Sequence, residues 1–131
     1  MTSQPLLILI AGPYKSGTGG DPAAMAANLR TLEAAAWPVF EAGHVPVIGE
    51  WVALPLLRAA GATATDPLAD QVLYPAAQRL LAHGDAVLRL PGNSAGADQD
   101  VATAERRGIP VYYDIAQVPR RSPARETPDE A

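Results

Sequence analysis

The feature that most constrains the fold is the run Leu6-Leu7-Ile8-Leu9-Ile10-Ala11, which Gly12-Pro13 brings to a stop. An unbroken apolar run of strand length, with no polar residue at alternate positions, describes a strand buried on both faces. Such a strand belongs in a parallel sheet with helices above and below. The rest of the chain repeats the theme, because short apolar runs alternate with alanine- and leucine-rich stretches of helical length.

The punctuation predicts the boundaries. Asp21-Pro22 opens a helix, since aspartate caps and proline suits the first helical position. It runs to about Ala36 or Ala42, with Met25, Leu29, Leu32 and Ala36 on one face, and Pro38 makes it either one bent helix or two pieces. Gly43 ends it, and His44 to Ile48 reads as a second strand. Trp51 to Ala60 reads as helical or partly irregular, broken near Pro55. Asp66-Pro67 repeats the cap-and-proline start for a helix over Leu68 to Ala82, which Pro75 bends or divides. Asp85 to Leu90 is a third strand, Ser94 caps a helix from Ala95 to Arg107, Gly108 ends it, and Ile109 to Tyr113 is a fourth strand. The order β-α-β-α-α-β-α-β predicts an α/β fold: a small doubly wound, Rossmann- or flavodoxin-like parallel sheet of four to five strands flanked by helices. One domain over 1–116 fits the length of 131 residues. The remainder, 117–131, is rich in Pro, Arg and Glu, and is expected to be mobile because it offers little apolar surface to offset its ordering entropy.

Composition removes several functions. A net charge of −4 and a pI near 5.0 provide no basic field for a nucleic-acid polymer. Without cysteine there is neither a disulfide nor a thiolate metal site, and the two histidines lie 39 positions apart. No cofactor and no thiolate or imidazole-rich metal site are expected, which leaves a mostly carboxylate-bound cation as the metal alternative. The longest apolar run is far below the roughly 20 residues of a bilayer span, so the expectation is a cytoplasmic protein without a membrane role.

Ligands of open α/β sheets bind beyond the carboxyl ends of the strands. Two segments stand there. The first, Gly12 to Gly20, holds four glycines with Lys15, Ser16 and Thr18, so its backbone either approaches an anionic ligand closely or simply turns. It lacks the Gly-Lys-Ser/Thr ending of a nucleotide-triphosphate loop and the G-x-G-x-x-G pattern. The second, Pro91 to Ala97, runs into a helix start, where Ser94 either caps the helix or contacts an anion. At 100° per residue, Asp100 lies about 60° from the centre of the Ala97, Val101, Ala104 stripe and Asp98 about 100° from it, so Asp100 points further inward. A carboxylate near a helix N-terminus is expected to stay ionised, which suits a nucleophile or electrostatic stabiliser, or else both acids simply stabilise the helix start. Glu50 and Trp51 follow the second strand, and Trp51 either stacks on a ligand or packs. His44 and His83 read as polar contacts at helix ends, and Arg106 and Arg107 as a pair complementing the end of their own helix. Trp37 and Phe40 read as core or interface aromatics.

Together, Ile8-Leu-Ile-Ala-Gly-Pro-Tyr14, Asn28, Gly43-His-Val-Pro46, Gly84-Asp-Ala-Val87, Leu90-Pro-Gly92, Ser94-x-Gly-Ala-x-x-Asp100 and Gly108-Ile-Pro-Val111 resemble the nucleoside 2-deoxyribosyltransferase-like superfamily over residues 6 to 115. The resemblance implies cleavage or transfer of the N-glycosidic bond of a nucleoside or its 5′-monophosphate, with the monophosphate favoured by Ser94, the glycine turns and Lys15. It makes Asp100 the nucleophile and adds Asp85 to the catalytic set as a structural or supporting acid. Gly12, Pro13, Tyr14, Lys15, Trp51, Gly92, Ser94, Gly96 and Ala97 would contact the substrate. Leu9 stands where many members have a tyrosine that orients the nucleophile, and Ala77 where many have a second carboxylate; Asp70, His83, Asp98 and Glu50 are the available stand-ins. A homodimer or higher even-numbered assembly is expected from the alanine-rich helices and from the family. The alternatives are a non-catalytic nucleotide- or metabolite-binding module of the same fold and a protein-interaction role.

Overall fold

The computed structural model describes residues 4–121. It contains β1 (Leu7–Ala11), α1 (Pro22–Glu41), β2 (Val45–Ile48), α2 (Gly49–Ala59), α3 (Ala69–Leu81), β3 (Ala86–Arg89), α4 (Ala95–Arg107), β4 (Val111–Tyr112) and a 3₁₀ turn, Ile115–Gln117. The strands form one all-parallel sheet in the order β2-β1-β3-β4. This is the expected α/β architecture with the expected element order.

Alternation along β1 divides the core. Ile8 and Ile10 face α1 and pack with Leu32, Ala36 and Val39, joined by Ile48 and Leu88. Leu9 and Ala11 face the opposite side and pack with Leu81 of α3 and with Ala97 and Ala104 of α4. Both faces of β1 are therefore dry, which is what its unbroken apolar sequence requires. The helix α2 lies against α3 through a smaller cluster around Leu57, Ala62 and Ala69.

The local starts and stops follow side-chain chemistry. Asp21 Oδ1 accepts from Ala23 N–H, and Ser94 Oγ accepts from Ala97 N–H at 3.1 Å. Prolines 38, 55 and 75 all lie inside helices that are assigned as continuous. Each proline removes one helical hydrogen bond, but buried neighbours such as Val39, Leu57 and Ala76 hold the turns against the core. Of the two outcomes expected at Pro75, a bend or a division, the division does not occur, and neither does the break near Pro55. Asp66 accepts from Leu68 N–H in a turn ahead of α3 rather than capping it, so the helix begins at Ala69.

β4 is shorter than its expected span because its flanks are used elsewhere. Gly108 ends α4 in the left-handed conformation, and Ile109 N–H returns to Ala104 O. On the other side, Tyr113 N–H donates to the Gln117 side chain and Asp114 caps the 3₁₀ turn. The domain also reaches beyond the expected boundary at 116. Val118 is 4% exposed and belongs to the α1-side core, and Arg121 N–H donates to Ala42 O at 2.8 Å. Residues 117–121 are thus part of the domain; the rest of the segment expected to be mobile lies outside the described residues. None of the described helices is long and apolar enough to cross a membrane.

Trp37 and Phe40 stack on each other with centroids 5.8 Å apart, yet they are 63% and 59% exposed. The core reading of these rings is corrected: they lie on the solvent side of α1.

Candidate functional site

β1 is followed by β2 on one side and by β3 on the other, so the strand order reverses between β1 and β3 and opens a crevice at their carboxyl ends. The two ligand-end loops meet there. Pro13 lies where a Cβ on Gly92 would be, 2.8 Å from its Cγ, and Gly92 has φ +112°. Only glycine fits that close approach without strain. Asn28 of α1 donates to Tyr14 O at 2.8 Å and anchors the first loop from below.

The crevice contains a cavity of about 80 Å³, lined by Gly12, Tyr14, Lys15, Ser94, Gly96, Ala97 and Asp100 among the residues singled out in the sequence. Glu50 from the start of α2, and Asp70 and Tyr74 from α3, complete its polar wall. Leu9 and Ala77 also line it. The wall of α3 comes close because Gly96 has no side chain: a Cβ there would sit 3.0 Å from the Tyr74 ring.

Asp100 is 7% exposed, whereas the Asp98 carboxylate is 72% exposed and pairs with Arg89 at 2.8 Å. The helical geometry inferred from sequence therefore separates the two acids correctly. Their ionisation does not follow the same expectation. Asp100 is raised from its ordinary 3.8 to about 7, chiefly because burial penalises the charged form. The hydrogen bond from Gln78 and the charge of Arg89 pull it down, and the charge of Glu50 pushes it up. Asp100 is the sixth residue of α4, beyond the first turn in which free N–H groups favour a carboxylate, so desolvation wins. Glu50 is also raised by burial. Tyr14 is raised by burial and by Glu50, which keeps its phenol neutral as a hydrogen-bond donor.

Asp100 is held from behind. Gln78 Nε2 donates to Asp100 Oδ1 at 3.0 Å, and Thr103 Oγ1 donates to Gln78 Oε1 at 2.8 Å. Lys15 forms a 3.0 Å ion pair with Asp70 across the cavity mouth, joining the glycine-rich loop to α3.

Four of the residues assigned to the site lie outside the cavity, and a fifth, which lines it, has a second task. Asp85 lies at the amino end of β3, where Oδ2 accepts from Leu7 N–H at 2.8 Å, at the opposite edge of the sheet from the cavity. It joins β1 to β3, which is the structural role, and does not line the cavity. Trp51 is 41% exposed and donates from Nε1 to Glu33 of α1, so it turns away from the crevice. Pro13 and Gly92 support the loops without lining the cavity. Ser94 is the helix cap, and its Oγ lies 3.5 Å from Gly12 O.

Among the suggested stand-ins, Glu50 and Asp70 reach the cavity, while Asp98 and His83 do not. Glu50 carries a signal of its own, because Ile48-Gly49-Glu50 stands at the carboxyl end of β2, where the same ligand-end rule applies. Gln78, in the middle of a helix, has no such signal. His44 is 2% exposed: Nδ1 accepts from Leu6 N–H and Nε2 donates to Pro119 O, so it is a buried strut between β1 and the chain's end. Arg107 reaches Leu81 O and Gly84 O at the end of α3 rather than capping its own helix. Among the described residues, no three His, Asp or Glu side chains converge as a metal site would require.

Compared with models of known families, the chain matches none. No curated protein sequence matches it significantly.

Proposed function

We propose that this protein cleaves or transfers the N-glycosidic bond of a nucleoside or nucleoside 5′-monophosphate, with Asp100 as the nucleophile. The observation that carries the reading is a buried carboxyl raised to about 7 at the floor of the crevice, facing a second raised carboxyl, Glu50. Two acids whose charges oppose each other hold one proton between them over the pH range separating their titrations. Asp100 holds that proton up to about pH 7, so its attack requires the proton to pass first to Glu50, which then protonates the leaving group. The resemblance to nucleoside 2-deoxyribosyltransferase-like proteins in the Ser94 to Asp100 segment points the same way.

In the first step an Asp100 carboxylate oxygen bonds to the anomeric carbon as the C–N bond breaks. Its electron pair leaves with the base, which takes the proton from Glu50. The product is a glycosyl ester of Asp100 and a free base. Water in a hydrolase, or a second base in a transferase, then attacks the same carbon and gives its proton to Glu50, and Asp100 is regenerated. Glu50 thereby does the work of the second carboxylate absent at Ala77. Tyr14 and the backbone at Gly12 and Gly96 would border the sugar and base. A cavity of about 80 Å³ is smaller than the roughly 300–1,000 Å³ of clefts that bury a drug-sized ligand. Opening of the Lys15–Asp70 bridge, both partners of which line the cavity, would enlarge it and free the Lys15 ammonium for a hydroxyl or phosphate.

The reading as a binding module is favoured by one observation: Leu9 and Ala77 make part of the cavity wall apolar where acid–base apparatus would otherwise stand. We carry the even-numbered self-association forward on the exposed Trp37–Phe40 stack; a monodisperse monomer in light scattering would overturn it.

The test is a panel of ribo- and deoxyribonucleosides and their 5′-monophosphates, with and without a second free base, resolved by liquid chromatography, with Asp100→Asn as control. Released base or exchanged nucleoside, lost in the variant, is the expected result. Ligand-induced thermal stabilisation without product would establish the binding module instead.

A further inference from the structure

The Asp100 carboxylate is one of two partners held by a single glutamine, and the direction of that amide is set from outside the cavity. Arg106 donates to Thr103 Oγ1 at 3.0 Å. A guanidinium can only donate, so the Thr103 hydroxyl is used as an acceptor there, which leaves its own hydrogen for Gln78 Oε1, to which it donates at 2.8 Å. With Oε1 committed to Thr103, the other end of the amide is Nε2, and its N–H donates to Asp100 Oδ1 at 3.0 Å. A flipped amide would set an oxygen against the carboxylate and a donor against the donating hydroxyl. The relay Arg106, Thr103, Gln78, Asp100 spans α4 and α3, and Gln78 does not itself line the cavity.

We infer that Gln78 is the positioning residue for Asp100: oriented by Thr103, it fixes one carboxylate oxygen, so that the group presents its other oxygen to the cavity. This deepens the reading of Asp100 as nucleophile and supplies a substitute for the orienting tyrosine absent at Leu9, but its physical core concerns the carboxyl alone. The bond favours the ionised acid, opposing burial. The other groups around Asp100 are Glu50 from α2, Arg89 from β3, Tyr14 and Lys15 from the loop after β1, and Asp70 and Tyr74 from α3. Among the described residues, Arg89 is the one cation that acts on Asp100 appreciably, and it is already paired with Asp98. Gln78 is the one neutral donor among the described residues that acts on it.

The experiment follows the carboxyl carbon of Asp100 by NMR across a pH titration, with Asp100→Asn identifying the resonance. Gln78→Met keeps the length and packing of the side chain and removes the donor, so the midpoint should rise by roughly one to two pH units. Thr103→Val releases the amide and should raise the midpoint by a smaller amount, while Thr103→Ser keeps the hydroxyl and should leave it in place. A midpoint unmoved in folded Gln78→Met, or moved equally by Thr103→Val and Thr103→Ser, would overturn the assignment. No substrate enters this measurement, so it stands or fails separately from the proposed reaction. If product forms in the chromatographic assay, the acid limb of kcat/KM should rise with the NMR midpoint in each variant.

Discussion

Replacing Asp100 with asparagine should make the protein more stable at alkaline pH, and the size of the gain follows from the site. The folded state holds the Asp100 proton up to about pH 7, whereas an exposed aspartate in the unfolded chain releases it near 3.8. The folded form therefore binds more protons between these values, and stability falls as pH rises through that window. The contribution is fully present below about pH 4 and lost above about pH 7. A shift of about three units at 1.36 kcal/mol each sets a ceiling of about 4 kcal/mol, of which about 3 kcal/mol falls between pH 5 and pH 8. Asparagine imitates the neutral acid at every pH, and its side-chain oxygen can still accept from Gln78.

The assay is urea unfolding of both proteins at pH 5 and pH 8. With a slope of about 1–3 kcal/mol per molar urea, the variant's advantage in midpoint should widen by about 1 M or more between the two conditions. Taking the difference between the proteins cancels groups that titrate identically in both. Midpoints that move in parallel would refute the reasoning, because they would mean that the carboxylate is as well solvated in the fold as in the unfolded chain. Glu50→Gln supplies an internal check: removing a charge that pushes Asp100 upward should reduce the pH-dependent gap.

Three further outcomes test the frame around the site. Ser94→Ala removes the cap of α4 and should cost about 1 kcal/mol, read as a thermal midpoint lowered by several degrees. Gly92→Ala forces a Cβ to 2.8 Å from Pro13 at a positive φ and should destabilise by more than about 1 kcal/mol in urea unfolding, and wild-type stability would argue against the close approach of the two loops. His44→Leu leaves Leu6 N–H and Pro119 C=O without their partner and should cost about 2–5 kcal/mol, with faster amide hydrogen exchange at Leu6 and Arg121; unchanged exchange would show that the strut is dispensable.

The sequence is most legible where a local rule decides the outcome. Asp21, Ser94 and Gly108 mark helix ends because capping depends on a few neighbouring residues, and Asp100 is separable from Asp98 because 100° per residue is a property of every α-helix. Interactions between distant segments leave no such mark. His44 owes its burial to Pro119, 75 residues away, and Gln78 meets Asp100 only because α3 and α4 share a face of the sheet. Glu50 and Trp51 show the intermediate case. They are adjacent on the first turn of α2, so one faces the crevice and the other turns toward Glu33 of α1. The turn between them is predictable, but which of them faces inward depends on how α2 leaves the edge strand.

Asp85 and Asp100 carry the same side chain beside the same strand, and comparing them separates structural from chemical use of an acid. At the amino edge of the sheet, polar groups are consumed by backbone: Asp85 by Leu7 N–H, His44 by Leu6 N–H and Pro119 O, and Arg107 by Leu81 O and Gly84 O. Those bonds join segments far apart in sequence, and such groups do not need to change protonation. At the carboxyl edge, Asp100 has Gln78 as its side-chain donor and Glu50 as a neighbour of like charge, and both acids are pushed toward the neutral form. Holding two carboxyls there costs stability at neutral pH, whereas an apolar pair would cost none. A module that only bound a neutral sugar and base would gain nothing from acids poised to exchange a proton, since fixed donors and acceptors would serve. The expense is intelligible if the proton moves during turnover, which is why the pH dependence of Asp100 is more informative about chemistry than the shape of the cavity around it.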